Sequence, residues 1–252
     1  MHCQGGNEMK LLSFSGRVAK EILRDPLNFG FGLGFPLILI LLLTAIQANI
    51  PAPLFVLDSL TPVIAVFGLA FLTLFSATLL AKDRETALLA RLYTTPMTAA
   101  DFIIGYLLPF CPIAAAQSII CYLAAIVLGL HPTLSMVWCV LSIVPVSLFF
   151  IALGLVCGSV LTVKQVGGIC GALLTNLTAW LSGVWFDLDL MGGAFHQIAN
   201  ALPFVHAVEL ERGILAGASF SSMLPHIAWI AGYALVTLAA AILLFLRQMR
   251  KQ

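Results

Sequence analysis

The sequence predicts an all-α integral membrane protein with six transmembrane helices. Of its 252 residues, 61% are hydrophobic and 9% are charged, and the mean hydropathy is +1.07. Soluble domains carry roughly 25% charged residues, so this composition is typical of a chain that lies mostly in a bilayer. Each helical crossing takes about 20 apolar residues. Six crossings and their connections therefore use nearly the whole sequence and leave no room for a second, soluble domain.

Six apolar stretches are the expected spans. They cover residues 29–47, 60–80, 102–130, 136–162, 166–186 and 224–246. The third is long enough to be tilted or kinked at Pro109 and Pro112, and the fourth contains Pro145. Such prolines are tolerated because neighbouring helices satisfy the backbone groups that a proline frees.

The basic residues predict the orientation of these spans. Of the 12 Lys and Arg residues, all but Arg212 fall in segments on one side of a six-span topology. Basic residues are concentrated on the cytoplasmic side of membrane proteins. Both termini are therefore predicted to lie in the cytoplasm.

The segments outside the spans are expected to differ in structure. Residues 1–9 are expected to be disordered, and residues 10–26 to form an amphipathic helix at the cytoplasmic interface. In the long outer segment 187–223, apolar residues recur at helical spacing from Ile198 to Ile214. This pattern favours two short re-entrant helices over a flexible tether.

A charged cytoplasmic helix is predicted between the second and third spans, from Lys82 to Tyr93. Its leucines form one apolar strip, and its charged residues take the remaining surface. Pro96 disfavours helical geometry in the preceding residue, so the helix is expected to end in a turn. The next helix is expected to start at Thr98, with Asp101 completing a capping box. Composition alone favours a solvated linker between two spans.

The sequence does not indicate a catalytic or metal site. No lysine lies in the Gly-Lys-Ser/Thr context of a P-loop. All 5 histidines lie in loops or at the edge of a span, and no carboxylate falls within a span. An intramembrane enzyme is therefore disfavoured. An ATP-independent channel or secondary carrier is less strongly disfavoured, because a carrier of neutral solutes needs no ionisable group in the membrane. His206 and Glu209 alone are too few ligands to indicate a metal site.

Glycines recur at four-residue spacing in three spans. The pairs are Gly30 and Gly34, Gly154 and Gly158, and Gly167 and Gly171. Small residues at this spacing let helices approach closely. We expect packing within the chain, with an interface between subunits as the alternative.

Three segments resemble the membrane subunits of the ABC type-2 transporter family. They are KEILRDPLNFGFGLGFPLILILLL at 20–43, KDRETALLARLYTTPMTAADFIIGYLLPF at 82–110 and SGVWFDLDLMGGAFHQIANALPFVHAVELERGIL at 182–215. They occur in the order that is usual in the family and span nearly the whole chain. The resemblance implies a multi-pass permease of a bacterial cell membrane that exports a drug, lipid or peptide.

The resemblance also implies partners. A separate ABC ATPase subunit would bind ATP and Mg²⁺, while this chain would hold no cofactor and bind no nucleic acid. A second membrane subunit, identical or paralogous, would complete the assembly in the lipid bilayer. The charged segment then becomes the coupling helix that docks on the ATPase. Its residues are Lys82, Asp83, Arg84, Glu85, Arg91, Thr95 and Pro96.

The family's second and fifth spans line its translocation path. Carried over to this sequence, the candidates are Thr73, Ser76, Asn176, Thr178 and Trp180. An amide near mid-membrane must find a partner or water. Asn176 therefore either faces the path or makes a buried interhelical hydrogen bond.

The family's outer helices imply a role in gating the exit. The candidates are His206, Glu209, Glu211 and Arg212. The alternative is an exposed acidic loop with one salt bridge.

Overall fold

The computed structural model describes residues 4–86, 97–183 and 193–249 as helices joined by short connections. In chain order the helices are α1 (Gln4–Leu23), α2 (Pro26–Gln47), α3 (Leu57–Glu85), α4 (Ala99–Leu107), α5 (Phe110–Val127), α6 (Ser135–Val160), α7 (Val163–Val166), α8 (Thr175–Leu181), α9 (Gly193–Ala201), α10 (Pro203–Leu215) and α11 (Phe220–Met249). A π-helical segment, Gly167–Leu174, joins α7 to α8. These three ranges contain no strand, and the predicted all-α class is confirmed for them.

Within the described residues, five helical stretches are long and apolar enough to cross a membrane. They are Phe29–Gln47, Leu57–Glu85, Ala99–Val127, Leu134–Val160 and Phe220–Met249. The chain is therefore a multi-pass membrane protein. The remaining predicted span, 166–186, is helical from 163 to 181, but the π-helical segment divides it and residues 184–186 lie outside the described part. Six crossings with both termini in the cytoplasm stay a prediction.

The N-terminal helix α1 runs from Gln4 to Leu23, whereas the sequence suggested disorder over 1–9 and a helix over 10–26. Pro26 sets its boundary with α2, because proline disfavours helical geometry in the preceding residue and is accepted at the first position of a helix. Phe14 and Val18 lie one turn apart and are buried against the rest of the chain. α1 thus packs on the helix bundle through an apolar face.

The central helix is α3, whose spanning segment is 78% buried, against 17% for that of α11. Its closest neighbour is α6, where two glycines leave room for it. A methyl group at Gly154 would overlap the carbonyl oxygen of Thr73, and one at Gly158 would lie 2.5 Å from the carbonyl oxygen of Ala77. The glycine pair of the fourth span therefore serves packing within the chain.

The same spacing elsewhere has no such effect. A methyl group at Gly30, Gly34 or Gly167 would meet no atom within 4 Å among the described residues. The spacing of glycines alone therefore did not distinguish a packed pair from an open one.

The third predicted span is divided into two helices. α4 begins after Thr98, whose hydroxyl accepts from the N–H of Asp101 at 3.2 Å, while the Asp101 carboxylate accepts from the N–H of Thr98 at 2.8 Å. The predicted capping box is confirmed. α4 ends at Leu107 and α5 begins at Phe110, so the chain is interrupted at Pro109, where a kink was expected.

Candidate functional site

Four polar residues from three helices meet at the end of α3, and we call them the inner cluster: Arg17, Glu21, Asp83 and Tyr106. The guanidinium of Arg17 donates to both carboxylate oxygens of Asp83, at 3.1 and 3.0 Å. It also contacts Glu21 at 2.5 Å. The phenol of Tyr106 donates to Asp83 at 2.6 Å. Each carboxylate oxygen of Asp83 therefore has a hydrogen-bond donor although the residue is 3% exposed.

The inner cluster rests on aromatic packing. The ring of Phe14 in α1 stands edge-on to Phe102 and Tyr106 in α4, with centroids 5.4 and 5.1 Å apart. Gly105 makes room for it, since a methyl group there would lie 2.5 Å from the Phe14 ring. Hydrogen bonds and rings together hold α1 against α3 and α4. Burial and the nearby charge of Asp83 raise the pKa of Glu21.

The position of Asp83 corrects an expectation from the sequence. A separate helix beginning at Lys82 was expected, with its charged residues on the solvent-facing surface. Instead α3 continues through Glu85 and carries Lys82 to Glu85 as its last turn. Asp83 faces inward there because Arg17 and Tyr106 satisfy its charge. Arg91, Thr95 and Pro96 lie outside the described residues.

The other charged residues of this turn also bind within the chain. Lys82 lies 3.6 Å from Asp25, at the junction of α1 and α2. Arg84 donates to the carbonyl oxygens of Gly158 and Leu161, at 2.7 and 3.1 Å. Glu85 accepts from the backbone N–H of Val163 at 2.9 Å. The end of α3 is thus joined both to the N-terminal helices and to the connection between α6 and α7.

The five path candidates divide between the inside and the surface of the chain. Thr73 donates to the carbonyl oxygen of Phe150 at 2.8 Å, and Ser76 lies 3.2 Å from that of Ile151. Both are fully buried between α3 and α6. Thr178 is also buried and donates to the carbonyl oxygen of Leu174 in its own turn of helix. None of these three hydroxyls lies on the surface of the chain.

Asn176 and Trp180 lie on the outer surface of α8. The amide nitrogen of Asn176 donates to the carbonyl oxygen of Ala172 at 2.7 Å, and Trp180 is 47% exposed. The Asn176 side chain therefore bonds within its own helical segment rather than between helices, and a role in the path stays a prediction.

The outer candidates lie on α10 and form two groups. His206 Nε2 is 2.9 Å from the carbonyl oxygen of Asn200, which can only accept, so this nitrogen carries the proton. Its Nδ1 lies 3.0 Å from Nδ1 of His226, and its ring stacks on Trp229 at 5.2 Å. These contacts join α10 to α11. In the second group, Arg212 pairs with Glu209 at 3.0 Å. This pair is the single salt bridge that the alternative interpretation expected.

Glu211 differs from its neighbours because it is fully buried. One carboxylate oxygen lies 2.6 Å from the hydroxyl of Ser142 in α6, and the other has no hydrogen-bond partner. The thiol of Cys139 approaches the Glu211 carbonyl oxygen at 3.6 Å. Burial raises the pKa of Glu211 to about 8. An exposed acidic position for Glu211 is therefore wrong.

Sequence reasoning missed several residues that complete these sites. Arg17 and Tyr106 were not connected with Asp83, nor were Ser142 and Cys139 with Glu211. One feature of the sequence could have predicted the burial of Glu211. It is three residues after Val208 and four before Leu215, on an otherwise apolar strip of α10. Such a strip packs against neighbouring helices.

A family model described as ABC-2 type transporter matches residues 10–216. The chain belongs to the ABC-2 type transporter family. The match runs from α1 to just past the end of α10 and contains the inner cluster, the end of α3 and Glu211. As an ABC-2 protein, the chain is a transporter membrane component, a permease subunit of an ABC transporter. No curated protein and no solved structure matches it.

Proposed function

We propose that this ABC-2 chain is the membrane subunit of an ATP-driven exporter in the bacterial cell membrane, and that it moves an amphipathic or hydrophobic substrate. Two membrane subunits, identical or paralogous, assemble with two ABC ATPase subunits, which bind ATP and Mg²⁺. The observation that carries the proposal is the end of α3, where the residues expected to couple to the ATPase are joined to distant parts of the chain. Family membership supports the function class.

The contacts of α3 explain how an ATPase could act on the spans. Asp83 bonds to Arg17 in α1, while Arg84 and Glu85 bond to the connection between α6 and α7, which leads into the predicted span 166–186. A force on the cytoplasmic end of α3 therefore moves these elements together. In this proposal, a movement of the ATPase is passed to the helices that border the path through the contacts of Asp83, Arg84 and Glu85. Arg91, Thr95 and Pro96 take part in docking in the same proposal.

The surface of α8 supports a second membrane subunit. An exposed amide facing hydrocarbon is costly and needs a polar partner or water. Asn176 bonds Ala172 in its own helical segment, and within the described residues no other hydrogen bond reaches its side chain. A path shared with a second subunit would give this amide water and substrate to bind. α10, with its Glu209–Arg212 pair, would gate the outer exit of that path.

Purification from native membranes tests the partnership. The chain would be tagged, extracted in mild detergent and isolated after photolabelling with 8-azido-ATP. We expect a labelled protein to co-purify and to contain a P-loop in its sequence. An untagged strain serves as the control. Recovery of the intact chain with no nucleotide-labelled partner would contradict the proposal.

A reporter fusion tests the six-span topology separately. A reporter that is active only in the periplasm, fused after the C-terminal residue, is expected to be inactive. The same reporter fused after Ala216, at the end of α10, is expected to be active because this region lies outside in the proposal. Activity at the C-terminus would overturn the six-span arrangement.

A further inference from the structure

An apolar cavity lies between α6, α10 and α11, and the proposed function does not use it. Its volume is about 830 Å³, which lies within the roughly 300–1,000 Å³ that is typical of small-molecule sites. Its walls are mostly aliphatic and aromatic, and include Trp138, Leu141, Leu210, Ile214 and Leu235. Because Trp138, Leu141 and Leu235 are exposed, the cavity opens on the flank of the helix bundle. It lies apart from Asn176 and Trp180, which do not line it.

Ser142 connects this cavity to Glu211. The half-buried serine lines the cavity wall, and its hydroxyl lies 2.6 Å from one carboxylate oxygen of Glu211. The second carboxylate oxygen is buried without a partner. The hydroxyl group of Ser142 therefore lies between the carboxyl group of Glu211 and the apolar cavity.

The hydrogen bonds around Ser142 indicate where the proton resides. Its hydroxyl is also 2.9 Å from the carbonyl oxygen of Cys139, which can only accept. One hydroxyl proton cannot serve both this carbonyl and an ionised Glu211. A protonated Glu211 that donates to Ser142 satisfies both contacts, with Ser142 donating onward to Cys139.

No cation in the described part of the chain neutralises Glu211. The nearby Arg212 pairs with Glu209 and approaches the carbonyl oxygen of Ser59. The titratable groups that face Glu211 from α5 and α6 are the phenol of Tyr122 and the thiol of Cys139, and neither kind of group can carry a positive charge. A buried carboxylate without a protein cation is stable as the neutral acid or beside a cation brought by a ligand.

We propose that this cavity binds a lipophilic cation, with Glu211 as the counter-charge. The aromatic and aliphatic walls hold the apolar groups of the ligand, and Trp138, which lines the cavity, supplies an aromatic ring of the kind that attracts cations. When the cation enters, Glu211 releases its proton to solvent and Ser142 turns its hydroxyl to the carboxylate. One positive charge enters and one leaves, so the site remains neutral. Binding belongs to the membrane chain itself and needs no ATPase subunit.

Equilibrium binding of tetraphenylphosphonium to the purified full-length chain in lipid nanodiscs tests the site. We expect saturable binding to the wild type that is weakened roughly tenfold or more in Glu211→Gln. The control is Asp58→Asn, which neutralises an exposed carboxylate at the start of α3 that does not line the cavity, and it should bind as the wild type does. Affinity of the wild type should rise from pH 6 to pH 9 because protons compete for Glu211, whereas Glu211→Gln should show no such rise.

A second variant keeps the test decisive if Glu211→Gln does not fold. Ala234→Trp fills the cavity and leaves the carboxylate in place, so it should also weaken binding roughly tenfold. The neutral compound triphenylphosphine oxide should not compete with the cation. Absence of saturable binding to the wild type, equal affinity in Glu211→Gln, or equal binding of the neutral compound would each overturn the proposal. These results would leave the proposed exporter function standing, since no ATPase enters the measurement.

Discussion

The guanidinium of Arg17 bonds both carboxylate oxygens of Asp83, 66 residues further along the chain. Paired, parallel hydrogen bonds between these groups fix orientation as well as distance. Tyr106 adds a third donor at 2.6 Å, so three helices share one buried carboxylate. The N-terminal helix is therefore a part of the helix bundle at its proposed cytoplasmic end.

Removing Arg17 should destabilise the chain more than neutralising Asp83. In Arg17→Met, the Asp83 charge stays buried with Tyr106 as its remaining donor, and we expect a loss of about 3–5 kcal/mol. In Asp83→Asn, the Arg17 side chain is 33% exposed and still has Glu21, so the loss should be about 1–3 kcal/mol. Thermal unfolding of the purified chain in detergent measures both.

The exposed Lys20 on the same helix supplies a control, since Lys20→Met should change little. The double variant Arg17→Met, Asp83→Asn should recover part of the loss of Arg17→Met, because the unpaired charge is gone. Equal losses in the two single variants would show that Asp83 does not depend on Arg17.

The stability of the chain should fall with rising pH because of Glu211. In the folded chain this carboxyl holds its proton up to a pKa of about 8, whereas in the unfolded chain it ionises near its ordinary value of 4.5. The stability that it contributes is fully present below that ordinary pKa and is lost as pH rises toward 8. The unfolding temperature of the wild type should therefore drop between pH 5 and pH 9.

Glu211→Gln should remove most of this slope and be the more stable protein at pH 9. Glu209→Gln should keep the slope of the wild type, because Glu209 is partly exposed and paired with Arg212. A Glu211→Gln variant with an unchanged slope would mean that another group titrates.

Two glycine substitutions should have opposite effects despite their similar sequence setting. Gly154→Ala would drive a methyl group into the backbone of α3 at Thr73, and we expect a loss of about 1–3 kcal/mol. Gly34→Ala meets no atom within 4 Å, and alanine favours a helix over glycine by up to about 1 kcal/mol. Unfolding in detergent should show one destabilised variant and one that is unchanged or improved. Similar losses at both positions would indicate that a neighbouring subunit covers Gly34.

Local patterns in the sequence predicted local structure well. Hydropathy located the five helical stretches that are long and apolar enough to span a membrane. The Thr98–Asp101 capping box and the Glu209–Arg212 pair follow from residues three apart. Contacts between distant residues could not be predicted in this way. In the sequence, Asp83 and Arg84 are simply two neighbouring charged residues at the end of a helix. Asp83 is buried because Arg17 bonds to it, whereas Arg84 bonds to a carbonyl oxygen of α6. Thr73 and Ser76 were candidates for the path because the sequence of their own span does not show that they bond to backbone carbonyl groups of α6.

The most direct test of the proposed function is the ATP hydrolysis rate of the assembly isolated through a tag on this chain. The wild type would be compared with the double variant Arg84→Ala, Glu85→Ala, after gel filtration and thermal unfolding establish that both are folded. We predict vanadate-sensitive hydrolysis in the wild-type sample and a rate at least about fivefold lower for the variant, because the coupled end of α3 is altered. A wild-type chain isolated intact without ATP hydrolysis, or a variant that hydrolyses ATP at the wild-type rate, would contradict the account.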